Sequence, residues 1–321
     1  MAGSAPATPE TPPPSSGQAV AEARVPVTPE LFADVSTGVE LCYRTFGDPS
    51  GEPILLLMGL ASPLNWWDPE LCSMLARRGY YVVTLDNRDV GRSSKVRGRV
   101  TRGMLVRAFA GLPVRAPYSL SDMGRDAFAL LDHLDVDRAH VVGVSMGGMI
   151  AQTMAVDEPR RVRSLTSIMS TTGRRSVGWQ HPRLLPALLM PVRPGKEGYA
   201  DSTVSMTHLI GSPGYPRPES RIREIADETY DRGISASGTL RQMMAILTQP
   251  NRSDRLAGLR IPTLVIHGLR DRMVHVSGGR ATAAAVPGSE LLLVGGMGHD
   301  LPPELFAAFT DAIDRTARRA G

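Results

Sequence analysis

The chain has 321 residues, 42% of them hydrophobic, enough to bury a large core, and α/β folds of this length often form one domain. The formal net charge is +4, and the cations, all arginine except Lys95 and Lys196, are scattered among 32 acids; that is a solvated surface, and it argues against a nucleic-acid partner. Cys42 and Cys72 match neither a disulfide framework nor CxxC spacing, so both are expected as small core residues in a reducing, cytoplasmic setting.

Residues 1–29, MAGSAPATPETPPPSSGQAVAEARVPVTP, lack the basic start and apolar core of a secretory signal. So much Pro, Ser and Ala without large apolar groups cannot offset the entropy of ordering, and a disordered tail is expected before a domain at 30–321. VELCYRTF (39–46) then alternates as a strand, and PILLLMG (53–59), YYVVTLD (80–86) and HVVGVS (140–145) are nearly all apolar, as strands covered on both faces must be. The most apolar run, ILLLMGLA (54–61), is far shorter than the roughly 20 residues that cross a membrane, so no membrane association is expected. A helix is predicted from Ser121 as N-cap, with Ala127, Leu130, Leu131 and Leu134 on one stripe and Asp126, Asp132 and Asp135 facing away. VRSLTSIMS (162–170), PTLVIHG (262–268) and ELLLVGG (290–296) continue the strands. Between residues 172 and 254 the rhythm breaks into helical stretches such as ESRIREIADETYDRG and SGTLRQMMAIL. The pattern predicts an α/β fold, a mostly parallel, doubly wound sheet carrying a helical cap insertion.

AHVVGVSMGGMIAQ contains Gly143-Val144-Ser145-Met146-Gly147, a G-x-S-x-G match in which the serine ends an apolar strand and opens a helix. A tight turn in that setting strains the nucleophile's backbone and exposes its hydroxyl, and a side chain at Gly143 or Gly147 would collide where strand and helix cross. The alternative is an ordinary turn with Ser145 as a helix N-cap. A serine alcohol reacts only if a base accepts its proton and a third group orients that base. His299, in the Gly-rich loop of LLLVGGMGHD, is the leading base and His267, inside LVIHGLRD, its rival. Asp271 lies in the loop beyond its strand, whereas the position after the strand ending at Ser170 reads Ser-Thr-Thr and has no carboxylate. The order Ser145, Asp271, His299 is the one this architecture uses. The turn DNRDVGRSS, with Asp86, Arg88 and Ser93, is expected to organise its own loop by hydrogen bonds.

From about Val27 to the C-terminus, LLLMGLASPLNWWD, TLDNRDVGRSS, AHVVGVSMGGMIAQ, PTLVIHG with Asp271, and GMGHDLP together resemble the α/β-hydrolase superfamily. Within it they are similar to the serine-hydrolase branch that includes aclacinomycin methylesterase and many bacterial carboxylesterases. The resemblance implies an oxyanion hole made by the backbone N–H groups of Leu60 and Met146. Many members have His-Gly before the first of these, and this chain has Met58-Gly59, a change the methylesterase-like branch shares.

The expected activity is therefore serine ester hydrolysis through an acyl-enzyme, on a small to medium, partly apolar ester, with no metal or organic cofactor. Trp66, Trp67 and Met149 are candidate substrate-binding residues, though each also fits a core position. The apolar residues Leu184, Leu185, Leu188, Leu189, Met190, Met243 and Met244 of the insertion are expected to cover the site. A perhydrolase or haloperoxidase-like enzyme and a C–C bond hydrolase could use the same three residues, and a binding protein with slow turnover is the alternative of another class. Epoxide and haloalkane chemistry resembles relatives with a carboxylate where this chain has Ser145.

Overall fold

The apolar runs form the middle of one eight-stranded sheet in a computed structural model, which describes residues 25–184 and 193–321. Its strands are β1 (Leu31–Val35), β2 (Val39–Phe46), β3 (Glu52–Leu57), β4 (Tyr80–Leu85), β5 (Ala139–Val144), β6 (Val162–Ile168), β7 (Thr263–Gly268) and β8 (Glu290–Val294), in the order β1-β2-β4-β3-β5-β6-β7-β8. β2 runs antiparallel to both β1 and β4, and every later pairing is parallel. Strands β4, β5 and β7 are buried at every position, which is why they read as nearly all apolar.

Around the sheet lie α1 (Pro69–Ala76), α2 (Arg102–Phe109), α3 (Leu120–His133), α4 (Met146–Asp157), α5 (Gly195–Ile210), α6 (Glu219–Arg232), α7 (Ala236–Thr248), α8 (Ser253–Leu256), α9 (Ser277–Ala285) and α10 (Phe306–Arg318). Alternate strand residues feed two apolar clusters. Leu55, Leu57, Val83 and Val141 pack with α3 and α4, whereas Ile54, Leu56, Val82 and Val142 pack with α1 and α10. The period-two alternation of a strand thus places helices on both faces, as a doubly wound sheet requires. Cys42 and Cys72 are buried and free.

Three expectations need correction, and one strand was missed. The edge strand β1 was not anticipated: LFADV carries a polar residue and pairs on one side only, with β2. Residues 25–29 belong to the folded unit rather than to a tail, because Val27 bridges Phe46, Thr28 N–H donates to Thr45 O at 3.1 Å and Gly47 N–H donates to Pro26 O at 2.8 Å; residues 1–24 lie outside the described residues. Helix α3 is capped by Ser119, not Ser121, through a capping box with Asp122, and Ser121 Oγ donates instead to Asp157. On the same helix Asp126 does not face away: it is buried, paired with Arg88 and accepting from Thr37 Oγ1.

Strands β6 and β7 are hydrogen-bonded neighbours, and α5 to α8 occupy the excursion between them. Leu184 and Met244 are buried and Met243 is half-buried; Leu185, Leu188, Leu189 and Met190 lie outside the described residues. Among the described residues, no helix is long and apolar enough to cross a membrane.

Candidate active site

Ser145 joins β5 to α4 with φ 56° and ψ −117°, a left-handed conformation uncommon for a residue with a side chain. Close crossing of strand and helix enforces it. A Cβ at Gly143 would come within 2.1 Å of Gly147 O, and one at Gly147 within 2.0 Å of Leu57 O, so neither position accepts a side chain. The Ser145 N–H donates to Ile168 O at 2.8 Å, and its carbonyl accepts from Ser170 Oγ at 2.8 Å. Its hydroxyl does not cap α4, which removes the ordinary N-cap reading.

The loops after β7 and β8 bring the two distant residues to that hydroxyl. His299 Nε2 lies 3.0 Å from Ser145 Oγ, and His299 Nδ1 lies 2.7 Å from Asp271 Oδ2. A carboxylate can only accept, so Nδ1 carries the proton and the Nε2 lone pair faces the serine O–H. Asp271 Oδ1 accepts the N–H groups of Met273 and Val274, both at 2.8 Å. Burial alone would raise the Asp271 pKa, but the opposing influence of His299 and His267 holds it down at about 2. His267, the rival base, lies beneath the acid: its Nε2 is 2.8 Å from Val274 O and 3.4 Å from Asp271 Oδ2.

The loop after β3 passes over the serine, since a Cβ on Gly59 would lie 3.3 Å from Ser145 Cβ. Gly59 C=O accepts the Ser62 N–H, which turns the Leu60 N–H, on the other edge of the same peptide, out of that turn. Neither the Leu60 N–H nor the Met146 N–H, the first of α4, has an acceptor among the described residues. Asn87 Nδ2 donates to Met58 O at 3.1 Å, and Ala61 N–H donates to Gln242 Oε1 at 2.9 Å. Gln242 lies in no motif, and Asn87, though inside the DNRDVGRSS turn, was not singled out from the sequence.

Asp86, Arg88 and Ser93 do organise the loop after β4, but largely through remote partners. Asp86 accepts the N–H of Leu64 and of Arg92 and pairs with Arg232 of α6; Ser93 Oγ donates to Asp86 O and accepts the Cys42 N–H. The histidine loop is likewise held from the segment after α5. His299 N–H donates to Ile210 O at 2.7 Å, Gly298 N–H donates to Ser212 Oγ at 2.8 Å, and Ser212 Oγ donates to Asp300. Trp66 Nε1 donates to Thr229 of α6, and Met149 is buried in the cluster under α3 and α4. Trp67 lines a cleft of about 240 Å³ with Arg44, Thr84 and Arg221, and Ser145, Asp271 and His299 do not line it. Among the described residues, no group of three His, Cys, Asp or Glu side chains is placed to hold a metal ion.

The chain is similar in sequence and fold to known proteins. The chain is 29% identical over 307 residues to rhodomycin D methylesterase DauP of Streptomyces sp. (strain C5), covering 88% of this chain and 96% of that one. It is 26% identical over 293 residues to 3-oxoadipate enol-lactonase 2 of Acinetobacter baylyi, covering 90% and 97%. A solved hydrolase from Pseudomonas aeruginosa PA01 superposes with a TM-score of 0.65 at 24% identity, over 89% of this chain and 97% of that one. The profile of the alpha/beta hydrolase fold matches residues 52–304, from the first residue of β3 to just past the histidine loop, and the chain belongs to that family.

Proposed function

We propose that this protein is a serine ester hydrolase acting on a small to medium, partly apolar ester. The observation that carries the reading is the row Ser145 Oγ, His299, Asp271, with separations of 3.0 and 2.7 Å, on a strained strand-to-helix turn. Ser145 Oγ attacks the ester carbonyl carbon while its proton passes to His299 Nε2. The carbonyl oxygen becomes an oxyanion that accepts the N–H groups of Leu60 and Met146. Collapse expels the alcohol, which leaves with the proton from Nε2. Water then repeats the sequence on the acyl-enzyme and releases the acid. Asp271 stays ionised throughout and holds the His299 tautomer.

Similarity to a methylesterase and an enol-lactonase supports an ester or lactone carbonyl as the reacting group. The segment at 172–254 acts as the cap that selects the acyl group, with Leu184 and Met243 as its contributors. The test is a panel of esters, lactones and methyl esters of graded acyl length with wild type, Ser145→Ala, Leu184→Ala and Met243→Ala. Ser145→Ala should lose 10³-fold or more in turnover, a magnitude on the order of that for a nucleophile in such a row. The two cap variants should reorder the substrates by acyl size. Turnover by Ser145→Ala ends the nucleophile assignment, and an unchanged ranking removes the cap from specificity.

A further inference from the structure

The geometry points to Gln242 as the positioning residue that holds the Leu60 N–H where the oxyanion forms, so that the cap segment is part of the catalytic device as well as its cover. This rests on the ester-hydrolase reading above. Gln242 is fully buried on α7, and a buried primary amide is tolerated only when its ends are hydrogen-bonded. Neither of its hydrogen-bond partners, Ala61 and Arg88, is on its own helix. Oε1 accepts the Ala61 N–H at 2.9 Å, and Nε2 donates to Arg88 O at 2.9 Å, so one side chain ties the loop over Ser145 to the loop after β4.

The peptide groups flanking the Leu60 N–H are thereby held from outside. Asn87 fixes the Met58 carbonyl and Gln242 fixes the Ala61 N–H, while the Leu60 N–H between them is left without an acceptor. Ala61 has φ 56°, a conformation that a residue with a Cβ keeps only when its surroundings demand it. Removing the Gln242 carbonyl orphans the Ala61 N–H and frees the loop to relax toward ordinary φ, which swings the Leu60 N–H one residue away. Gln242 is in turn anchored by its own helix. Arg241 grips Asp89 with two hydrogen bonds of 2.8 and 2.7 Å, and Gly238 lies so close to Asp89 that a Cβ there would be 2.5 Å from its carbonyl oxygen.

The experiment measures kcat and KM for p-nitrophenyl butyrate per reactive serine, counted by end-point labelling with a fluorophosphonate, together with inhibition by an alkyl boronic acid as tetrahedral mimic and by butyrate as ground-state mimic. Gln242→Leu should lower kcat by roughly 10- to 100-fold, as an oxyanion donor displaced by about an ångström does, with KM and butyrate inhibition nearly unchanged and boronic acid affinity weakened by a similar factor. Gln242→Glu supplies a second readout should the leucine variant fail to fold. Its neutral acid reproduces one acceptor and one donor, so its kcat relative to wild type should rise as pH is lowered. Wild-type kcat per labelled serine in Gln242→Leu, or a pH-independent ratio in Gln242→Glu, overturns the inference. Turnover by Ser145→Ala overturns the underlying reading instead, so the two failures are distinct.

Discussion

Replacing Asp271 by asparagine removes one charge and almost no volume, and the hydrogen bonds around it dictate which way the new amide turns. Two backbone N–H groups, from Met273 and Val274, point at the Oδ1 position from 2.8 Å. The amide oxygen must occupy it, because the flipped amide would leave both donors facing an NH₂ group at about 1–3 kcal/mol each. The NH₂ group then faces His299 Nδ1, now 2.7 Å from Oδ2, and two donors cannot meet there. The histidine proton moves to Nε2, which lies 3.0 Å from Ser145 Oγ and can no longer accept from it. A wrong tautomer of this kind lowers kcat by roughly 10³- to 10⁴-fold, or about 4–5 kcal/mol of transition-state stabilisation. Stopped ester hydrolysis and fluorophosphonate labelling should fall together. A variant that keeps kcat within tenfold of wild type would refute the assigned roles. Stability gives an independent check. The Asp271 pKa is held near 2, below the ordinary 3.8, so its contribution is full above pH 4 and is lost as pH falls through about 2. Denaturant unfolding at pH 6 and pH 2 should show the gap between wild type and Asp271→Asn narrowing by ~2 kcal/mol.

His267→Leu should retain turnover within about tenfold, since its ring touches the acid and not the serine, while unfolding easily detects the orphaned Val274 carbonyl at about 1–3 kcal/mol. Arg252 is fully buried and, among the described residues, donates its guanidinium N–H groups to the neutral acceptors of Gln152, Gln249 and Thr171, and burial pushes its pKa down to about 9. Arg252→Met should therefore destabilise by at least about 2 kcal/mol by leaving those acceptors unpaired, and an unchanged denaturation midpoint would show the network to be dispensable. Deleting residues 1–24 should leave kcat and Tm unchanged, whereas deletion through Pro29 should lower Tm by several degrees, because it removes the pairing of Val27 and Thr28 with β2; equal behaviour of the two truncations would contradict that boundary.

Ser145, Asp271 and His299 were legible because each follows a strand whose residues are apolar at successive positions, and chain order separates their roles. Asp126 and Ser121 were misread from local sequence alone. An aspartate on a helix reads as solvated unless its partner is known, and Arg88 lies on a loop remote in sequence. The boundary at Val25 was missed because a Pro-rich extended segment carries no periodicity; its order comes from one edge of β2.

Periodicity and glycine placement act over a few residues, so strands, helices and the strained turn at Ser145 are written locally in the chain. The reason is steric: a fully covered strand must be apolar, and a strand that crosses a helix so closely that a Cβ would come within 2.1 Å of the helix backbone must carry glycine. At what distance the hydroxyl, ring nitrogen and carboxylate meet belongs to the tertiary structure, as does the place of the rival His267, which lies near Asp271 but does not reach Ser145. The same holds for Asn87 and Gln242. An amide side chain has no sequence signature until the backbone groups it must satisfy are brought to it, and only the packing of α7 against the loops after β3 and β4 does that.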